Sequence, residues 1–185
     1  MPAPTTIRTP RLELARWREH EFTELRAVLD LCDAHLRPWI PFMRDEPRSL
    51  DDTRARVAQF IASFDEGQHF RYVVRDRGTG AFVGEVMLLT RGAPGTLEIG
   101  YWLHQDQCGR GYAKEATAAL LPVAFEDLGA ARVAVVCDEH NAPSIAVAHS
   151  LGVTFDELRE LVEDGAPVRL MTFVLPREVW LERRA

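Results

Sequence analysis

Along the 185-residue chain, apolar positions recur every second residue in some stretches and at 3.6-residue spacing in others, and each change of period marks an element. Residues 12–16 (Leu-Glu-Leu-Ala-Arg) alternate and predict a first strand. Residues 21–35 carry Phe22, Leu25, Val28 and Leu29 on one helical face, and Pro38 and Pro41 stop that helix. Ser49 suits the cap of a second helix that opens with Asp51 and Asp52, runs through Val57, Phe60, Ile61 and Phe64, and ends at Gly67. Strands at 70–75, 82–89 and 96–103 follow, joined by glycine-containing turns at 77–80 and 92–95, which predicts an antiparallel meander. Helical spacing returns over 111–128, where an unrelieved Pro122 would cost roughly 3 kcal/mol, so a kink is expected. A β-branched strand at 132–137, a helix at 143–151 closed by Gly152, strands at 153–162 and 168–175, and a terminal helical turn with Trp180 complete the pattern.

A meander followed by alternating strands and helices predicts an α/β (α+β) fold, a mixed, mostly antiparallel central sheet of about seven strands with flanking helices. No repeat or linker divides the chain, so residues 1–185 read as one domain with its core at about 9–180. Hydrophobic residues make up 46% and charged ones 27%, a balance that excludes disordered and collagen-like classes. With 28 acidic against 22 basic side chains, net −6, the chain has no general attraction for nucleic acid, and a cationic small molecule or peptide is the easier partner. No apolar run reaches membrane-spanning length and the N-terminus has no signal-peptide core, which predicts no membrane partner and a cytoplasmic location. Cys32, Cys108 and Cys137 are odd in number and widely spaced, which suits reduced thiols.

The most informative stretch runs from Tyr101 to Ala116, where a strand passes through a glycine turn into a helix. Free amides at a helix N-terminus, with the helix dipole behind them, form an anion site; Gly109 and Gly111 let a phosphate approach the backbone, and Arg110 adds a cation. The same glycines equally suit a plain tight turn. The dinucleotide fingerprint fails at Lys114, where it needs glycine or alanine, and no Walker motif follows. His104 with Cys108, and Cys137 with His140, have spacings that suggest zinc, but tight Cys-x-x-Cys pairs are lacking and no metal site is read. No Gly-x-Ser-x-Gly elbow exists for a serine hydrolase. At a helix start, Cys108 is expected to have a lowered thiol pKa.

Cys108-Gly-Arg-Gly-Tyr-Ala113 resembles the Q/R-x-x-G-x-G/A pyrophosphate loop of the GNAT N-acetyltransferases, and Glu98-Ile-Gly-Tyr-Trp-Leu103 is similar to the strand beside which their pantetheine lies. Asn141-Ala-Pro-Ser144, with Leu151-Gly152 beyond it, is similar to the family's Asn-x-x-Ser/Ala segment and its Leu-Gly-Phe end. Thr9-Pro-Arg-Leu-Glu-Leu14 and Leu36-Arg-Pro-Trp-Ile-Pro-Phe42 resemble the branch of ribosomal-protein alanine and serine N-acetyltransferases (Rim-type). The motifs stand in the family's order and cover nearly the whole chain. The resemblance implies the GNAT fold and an acetyl-CoA-dependent transfer of acetyl directly to a primary amine, on a protein N-terminus or a small molecule, and it leaves a homodimer open. It implies cofactor contacts from Trp102, Leu103, Cys108, Gly109, Arg110, Gly111, Tyr112, Ala113, Asn141 and Ser144. A non-catalytic acyl-CoA-binding sensor is the alternative, because Cys108 replaces the family's Gln or Arg and Ala148 replaces a tyrosine that many relatives carry.

The reaction asks mainly for positioning. A neutral amine has to meet a thioester carbonyl, the developing oxyanion needs a donor, and a thiolate of pKa about 8.5 leaves with little acid help. A backbone N–H near Trp102 or Leu103 is the candidate donor. Asn141 and Ser144 are candidates for hydrogen bonds to pantetheine or the thiol sulfur, and they also suit a helix cap. Carboxylates inside strands are unusual, so Glu85 and Glu98 stand out. Alternation puts Glu98, Gly100 and Trp102 on one face, and Glu98 is the candidate base, an exposed strand face being the other reading for both glutamates. Glu160 and Glu163, in the acidic run 155–164, are the rivals that the resemblance suggests, although such a run also suits a solvated edge. Trp39 and Phe42, in a proline-bounded loop, are candidate walls of an acceptor pocket.

Overall fold

The computed structural model describes residues 2–163 and 165–184, without the side chains of Glu163 and Ala166. Its strands are β1 (Thr6–Arg8), β2 (Leu12–Arg16), β3 (His69–Asp76), β4 (Phe82–Leu89), β5 (Thr96–Leu103), β6 (Arg132–Asp138), β7 (Thr154–Glu163) and β8 (Ala166–Pro176). They form one sheet in the order β1-β2-β3-β4-β5-β6-β8-β7. Among the described residues the helices are α1 (Phe22–Leu31), α2 (Asp33–Leu36), α3 (Leu50–Asp65), α4 (Tyr112–Pro122), α5 (Ala142–Ser150) and α6 (Arg177–Glu182). The mixed, mostly antiparallel sheet is as the pattern predicts, with eight strands where about seven were expected. The addition is β1, whose three residues pair antiparallel with β2.

Two apolar layers sandwich the sheet. Trp17, Leu25, Leu29, Met43 and Val57 pack with Val73, Met87 and Trp102 on the α1/α3 face. Leu120, Phe125 and Trp180 pack with Tyr72, Leu88, Ile99 and Phe173 on the other. Because both faces are covered, every residue of the central strand β4 is buried, and its sequence reads as a near-continuous apolar run. The helix expected over 21–35 is broken at Cys32, whose φ of −96° and ψ of 8° leave the helical region, so α1 and α2 are separate. At Pro122 the winding changes: a π turn, Val123–Asp127, follows directly, and the Leu128 amide bonds back to Val123 O at 2.9 Å. That wider turn accommodates a residue with no N–H to give.

What positions the site is the contact between β5 and β6, the one parallel pairing among the described strands. It covers only Thr96–Glu98 against 132–134. Beyond it β5 continues to Leu103 with β4, while β6 continues to Asp138 with β8. The sheet therefore splits from Ile99 onward. β4 and β5 meet so closely that a Cβ on Gly84 would lie 2.2 Å from Trp102 O and 2.9 Å from Leu103 Cα. Gly84→Ala is expected to cost about 1–3 kcal/mol by overpacking, read as a lower thermal midpoint. An unchanged midpoint would show that the strand pair yields.

Candidate active site

The loop before α4 is built to expose amides. Gly109 (φ 74°) and Gly111 (φ 77°) hold left-handed backbone that other residues adopt at a cost, and Gly111 is the N-cap of α4. The amides of residues 109–114 have no hydrogen-bond partner among the described residues. A consecutive run of free N–H groups ahead of a helix dipole is an anion cradle. A Cβ at Gly109 would meet nothing within 4 Å, so the approach is open. Arg11, in the β1–β2 turn, braces this loop: its Nη1 donates to Arg110 O at 2.9 Å, its Nε to Glu115 Oε2 at 2.6 Å, and its guanidinium lies 4.7 Å from the Tyr112 ring centre.

Cys108 heads the loop, with Sγ 3.6 Å from His104 O and 3.6 Å from His35 Nε2. The expected lowering of its pKa is overturned: burial pushes the thiol up, and Cys32 and Asp106 add to the shift. Cys137, unlike the exposed Cys108, is a buried residue, and burial pushes its thiol up to about 11. Among the described residues no group of three His, Cys, Asp or Glu side chains is placed to hold a metal ion.

A cavity of about 370 Å³ runs through the split. Tyr101, Asn141 and Ser144 line it from the α5 side; Glu98, Gly100 and Trp102 line it from the α1/α3 side, with Trp39 and Phe42 forming a wall there. Since the His104 amide bonds Val83 O in the β4–β5 ladder, the two-residue period turns the Trp102 and Gly100 amides toward β4 as well. The Tyr101 and Leu103 amides then face the split. Of the two candidate oxyanion donors, Leu103 has the available N–H, while Trp102 contributes its buried indole to the wall.

On α5, Asn141 Oδ1 accepts the Ser144 amide at 3.2 Å and so caps the helix. Ser144 Oγ lies 2.9 Å from the Tyr101 hydroxyl, whose phenol burial pushes up to about 12. Ala148 is fully buried and leaves no phenol at its own position, so Tyr101 is the cavity's phenol.

The carboxylates fall into three environments. Glu98 is 9% exposed and lines the cavity, with Oε2 accepting Arg91 Nε at 2.8 Å and Oε1 accepting Arg91 Nη2. Glu85 is 1% exposed, which overturns the reading of an exposed face. Its oxygens accept the Trp17 indole at 2.9 Å, the Trp102 indole at 2.8 Å and Arg71 Nη1 at 3.2 Å. Glu160 has a side chain 76% exposed, stands 3.4 Å from Arg169 Nε, and does not line the cavity. The Glu163 side chain and Asp164 lie outside the described residues.

The family described as "Acetyltransferase (GNAT) domain" matches this sequence over residues 11–154. The chain belongs to the GNAT acetyltransferases. It is an acetyl-CoA-dependent N-acetyltransferase. It is 27% identical over 148 residues to the uncharacterized N-acetyltransferase YnaD of Bacillus subtilis (strain 168), covering 80% of this chain and 81% of that one. To the uncharacterized N-acetyltransferase p20 of Bacillus licheniformis it is 31% identical over 149 residues, 79% and 80% of the two chains. In fold it superposes on RimL, a ribosomal L7/L12 alpha-N-protein acetyltransferase in complex with coenzyme A, with TM-score 0.84 and 19% identity over 96% of this chain and 98% of that one.

In this GNAT chain the free-amide loop has the chemistry of an anion site, and the split holds the cavity nearest to β5 and α5. Arg11, Tyr101, Arg71 and Arg91 are the residues of this neighbourhood that sequence reasoning passed over. Arg37, Arg44, Arg71 and Arg91 line the cavity together with Glu98 and Asp138, so its charge pattern is not that of the chain as a whole. Among the described residues no helix is long and apolar enough to cross a membrane.

Proposed function

We propose that the acceptor is the α-amine of a polypeptide and that acetyl passes to it directly across the split between β5 and β6. The split carries this reading, because its cavity is lined from both faces of the sheet, which suits a thioester and an amine brought in from opposite sides. The fold-level likeness to RimL, an alpha-N-protein acetyltransferase by name, supports a polypeptide. Acetyl-CoA supplies the activated acetyl group. The residues of this chain divide the remaining work. The loop Cys108, Gly109, Arg110, Gly111, Tyr112 and Ala113 binds the pyrophosphate through its amides. The Leu103 N–H donates to the oxygen that gains charge, and Ser144, held by Tyr101, donates to the departing sulfur. Glu98 receives the ammonium proton through water. Cys108 sits in the loop, away from the cavity, and takes no covalent part.

Calorimetry and an acceptor panel test this together. Gly111→Trp puts a large side chain on left-handed backbone, with its Cβ 3.4 Å from Arg11 Nη2, inside the anion cradle. CoA binding is expected to weaken at least tenfold, about 1.4 kcal/mol. Thiol release with peptides bearing a free α-amine is expected to exceed that with lysine-like amines or aminoglycosides. Unchanged CoA affinity moves the phosphate site elsewhere, and preference for a small-molecule amine overturns the polypeptide acceptor.

A further inference from the structure

A second cavity, of about 360 Å³, lies beside the first, between α3 and the loop carrying Phe42. Arg71 and Phe42 line both, so the two cavities adjoin at these side chains. Nothing in the reading above uses the second cavity.

Arg71 is held unusually well for a cavity residue. Its Nη1 donates to Glu85 at 3.2 Å, and its guanidinium lies 4.4 Å from the Phe60 ring centre. Glu85 is itself fixed by two indole N–H groups, and a buried carboxylate so restrained fixes whatever it binds. With its plane set by a ring and a carboxylate, the guanidinium keeps Nε and Nη2 unbonded among the described residues, and its side chain is 19% exposed. The other arginines of the two cavities are differently employed. Arg37 uses all three nitrogens on Asp33 and two carbonyls, Arg91 is bidentate on Glu98, and Arg56 is tied to buried Glu46. Arg48 pairs through Nη2 with Asp45 and has no aromatic support among the described residues, and Arg44 is engaged as well. A preorganised guanidinium with donors to spare is suited to bidentate capture of a carboxylate.

We propose that Arg71 is the acceptor-binding residue for a carboxylate, so that the substrate is an acidic acceptor whose amine enters the first cavity while its carboxylate meets Arg71 at the second. This rests on the α-amine reading. The carboxylate can come from an acidic side chain early in a polypeptide or from the C-terminus of a very short peptide, and the further room of the second cavity beside Arg71 favours the former.

The test uses C-amidated octapeptides with free N-termini, Asp or Asn at positions two and three, and a dipeptide with a free or amidated C-terminus. Each is titrated calorimetrically against the CoA-bound protein and assayed for acetylation, with parent, Arg71→Gln and Arg71→Lys. Parent is expected to bind the Asp octapeptide at least tenfold more tightly than the Asn one, with the difference in KM rather than kcat. Arg71→Gln removes that preference, and Arg71→Lys restores only part of it. CoA affinity in the same titrations reports that each variant is folded. A preference confined to the free dipeptide reassigns the carboxylate to a peptide C-terminus and overturns the polypeptide form. Equal binding of all pairs by parent, or a preference that survives Arg71→Gln, overturns the proposal. A preference that depends on Arg71 without turnover of any peptide leaves the carboxylate site standing and overturns the α-amine acceptor instead.

Discussion

Glu46→Ala is expected to cost about 3 kcal/mol of stability, because it strands the Arg56 guanidinium, which has little water to turn to, and leaves Arg26 with Asp30 as its remaining carboxylate. The Glu46 side chain is 1% exposed. One oxygen accepts Arg26 Nη1 and the Arg48 amide at 2.8 Å, and the other accepts Arg56 Nη1 at 2.7 Å. Arg26 and Arg56 are only 10% and 12% exposed, and they belong to α1 and α3, so this carboxylate joins both helices to the segment Pro41–Asp45. The thermal midpoint should fall by roughly 6–12 °C. Burial pushes the Glu46 carboxyl up, but the Arg26 hydrogen bond, the Arg48 amide and the charges of Arg56 and Arg26 outweigh it, and the net shift is downward. A depressed carboxylate stabilises fully above its unfolded value of about 4.3 and loses that contribution as pH falls toward and through the folded value. The parent's stability should therefore drop from about pH 5 downward more steeply than that of Glu46→Gln. Parallel acid profiles, or a loss under about 1 kcal/mol for the alanine variant, would show that the cluster is no more than a surface ion pair.

How much the sequence disclosed depended on how local each determinant was. The strands at 12–16, 82–89 and 96–103 coincide with the residues read from alternation and apolar runs, because a strand with a covered face must repeat every two residues. The Ser49 cap was equally legible, since its side chain accepts the Asp52 amide three residues on. β1 was not, because three edge residues cannot display a period; its pairing with β2 holds it. The insertion of β8 between β6 and β7 was also hidden, since strand order is decided by what the whole sheet covers. The split at Ile99 follows from that order rather than from any residue at the split.

The same distinction holds at the active site. Glycines before a helix are a local signature, so the turn with left-handed Gly109 and Gly111 was legible, although the same glycines suited a plain tight turn as well as an anion site. Its brace was not, because Arg11 meets Arg110 across 99 residues of chain. Alternation placed Glu98, Gly100 and Trp102 on one face, which the pairing of Glu85 with Trp102 extends to β4, yet it says nothing of what covers that face. Trp17, 68 residues before Glu85, closes over that carboxylate, while Glu98 is left at the cavity with Arg91. Net charge is equally uninformative about the cavity: −6 is a sum over the chain, whereas the cavity gathers four arginines beside Glu98 and Asp138.

Glu98→Gln is expected to lower kcat about sixfold at pH 7 on a peptide α-amine, the cost of leaving its deprotonation to solvent, and far more on a lysine-like amine. Arg91 occupies both Glu98 oxygens, but a carboxylate offers about four lone-pair sites and a bidentate guanidinium takes two, so a water can still carry the ammonium proton to it. The pH dependence distinguishes this role from a structural one. An α-ammonium of pKa about 7.8 costs about 1.1 kcal/mol to deprotonate at pH 7, against about 4.6 kcal/mol for a lysine-like amine of pKa about 10.4. Above about pH 8 the α-amine is already neutral, so the variant should recover most of its rate on the peptide. On a lysine-like amine it should stay depressed through pH 9, while CoA affinity remains that of the parent. A variant that keeps the parent rate and acidic limb removes Glu98 as the base. Should Glu160→Gln or Glu163→Gln lose that limb instead, proton removal belongs to β7, and if no variant changes it, solvent alone deprotonates an α-amine acceptor.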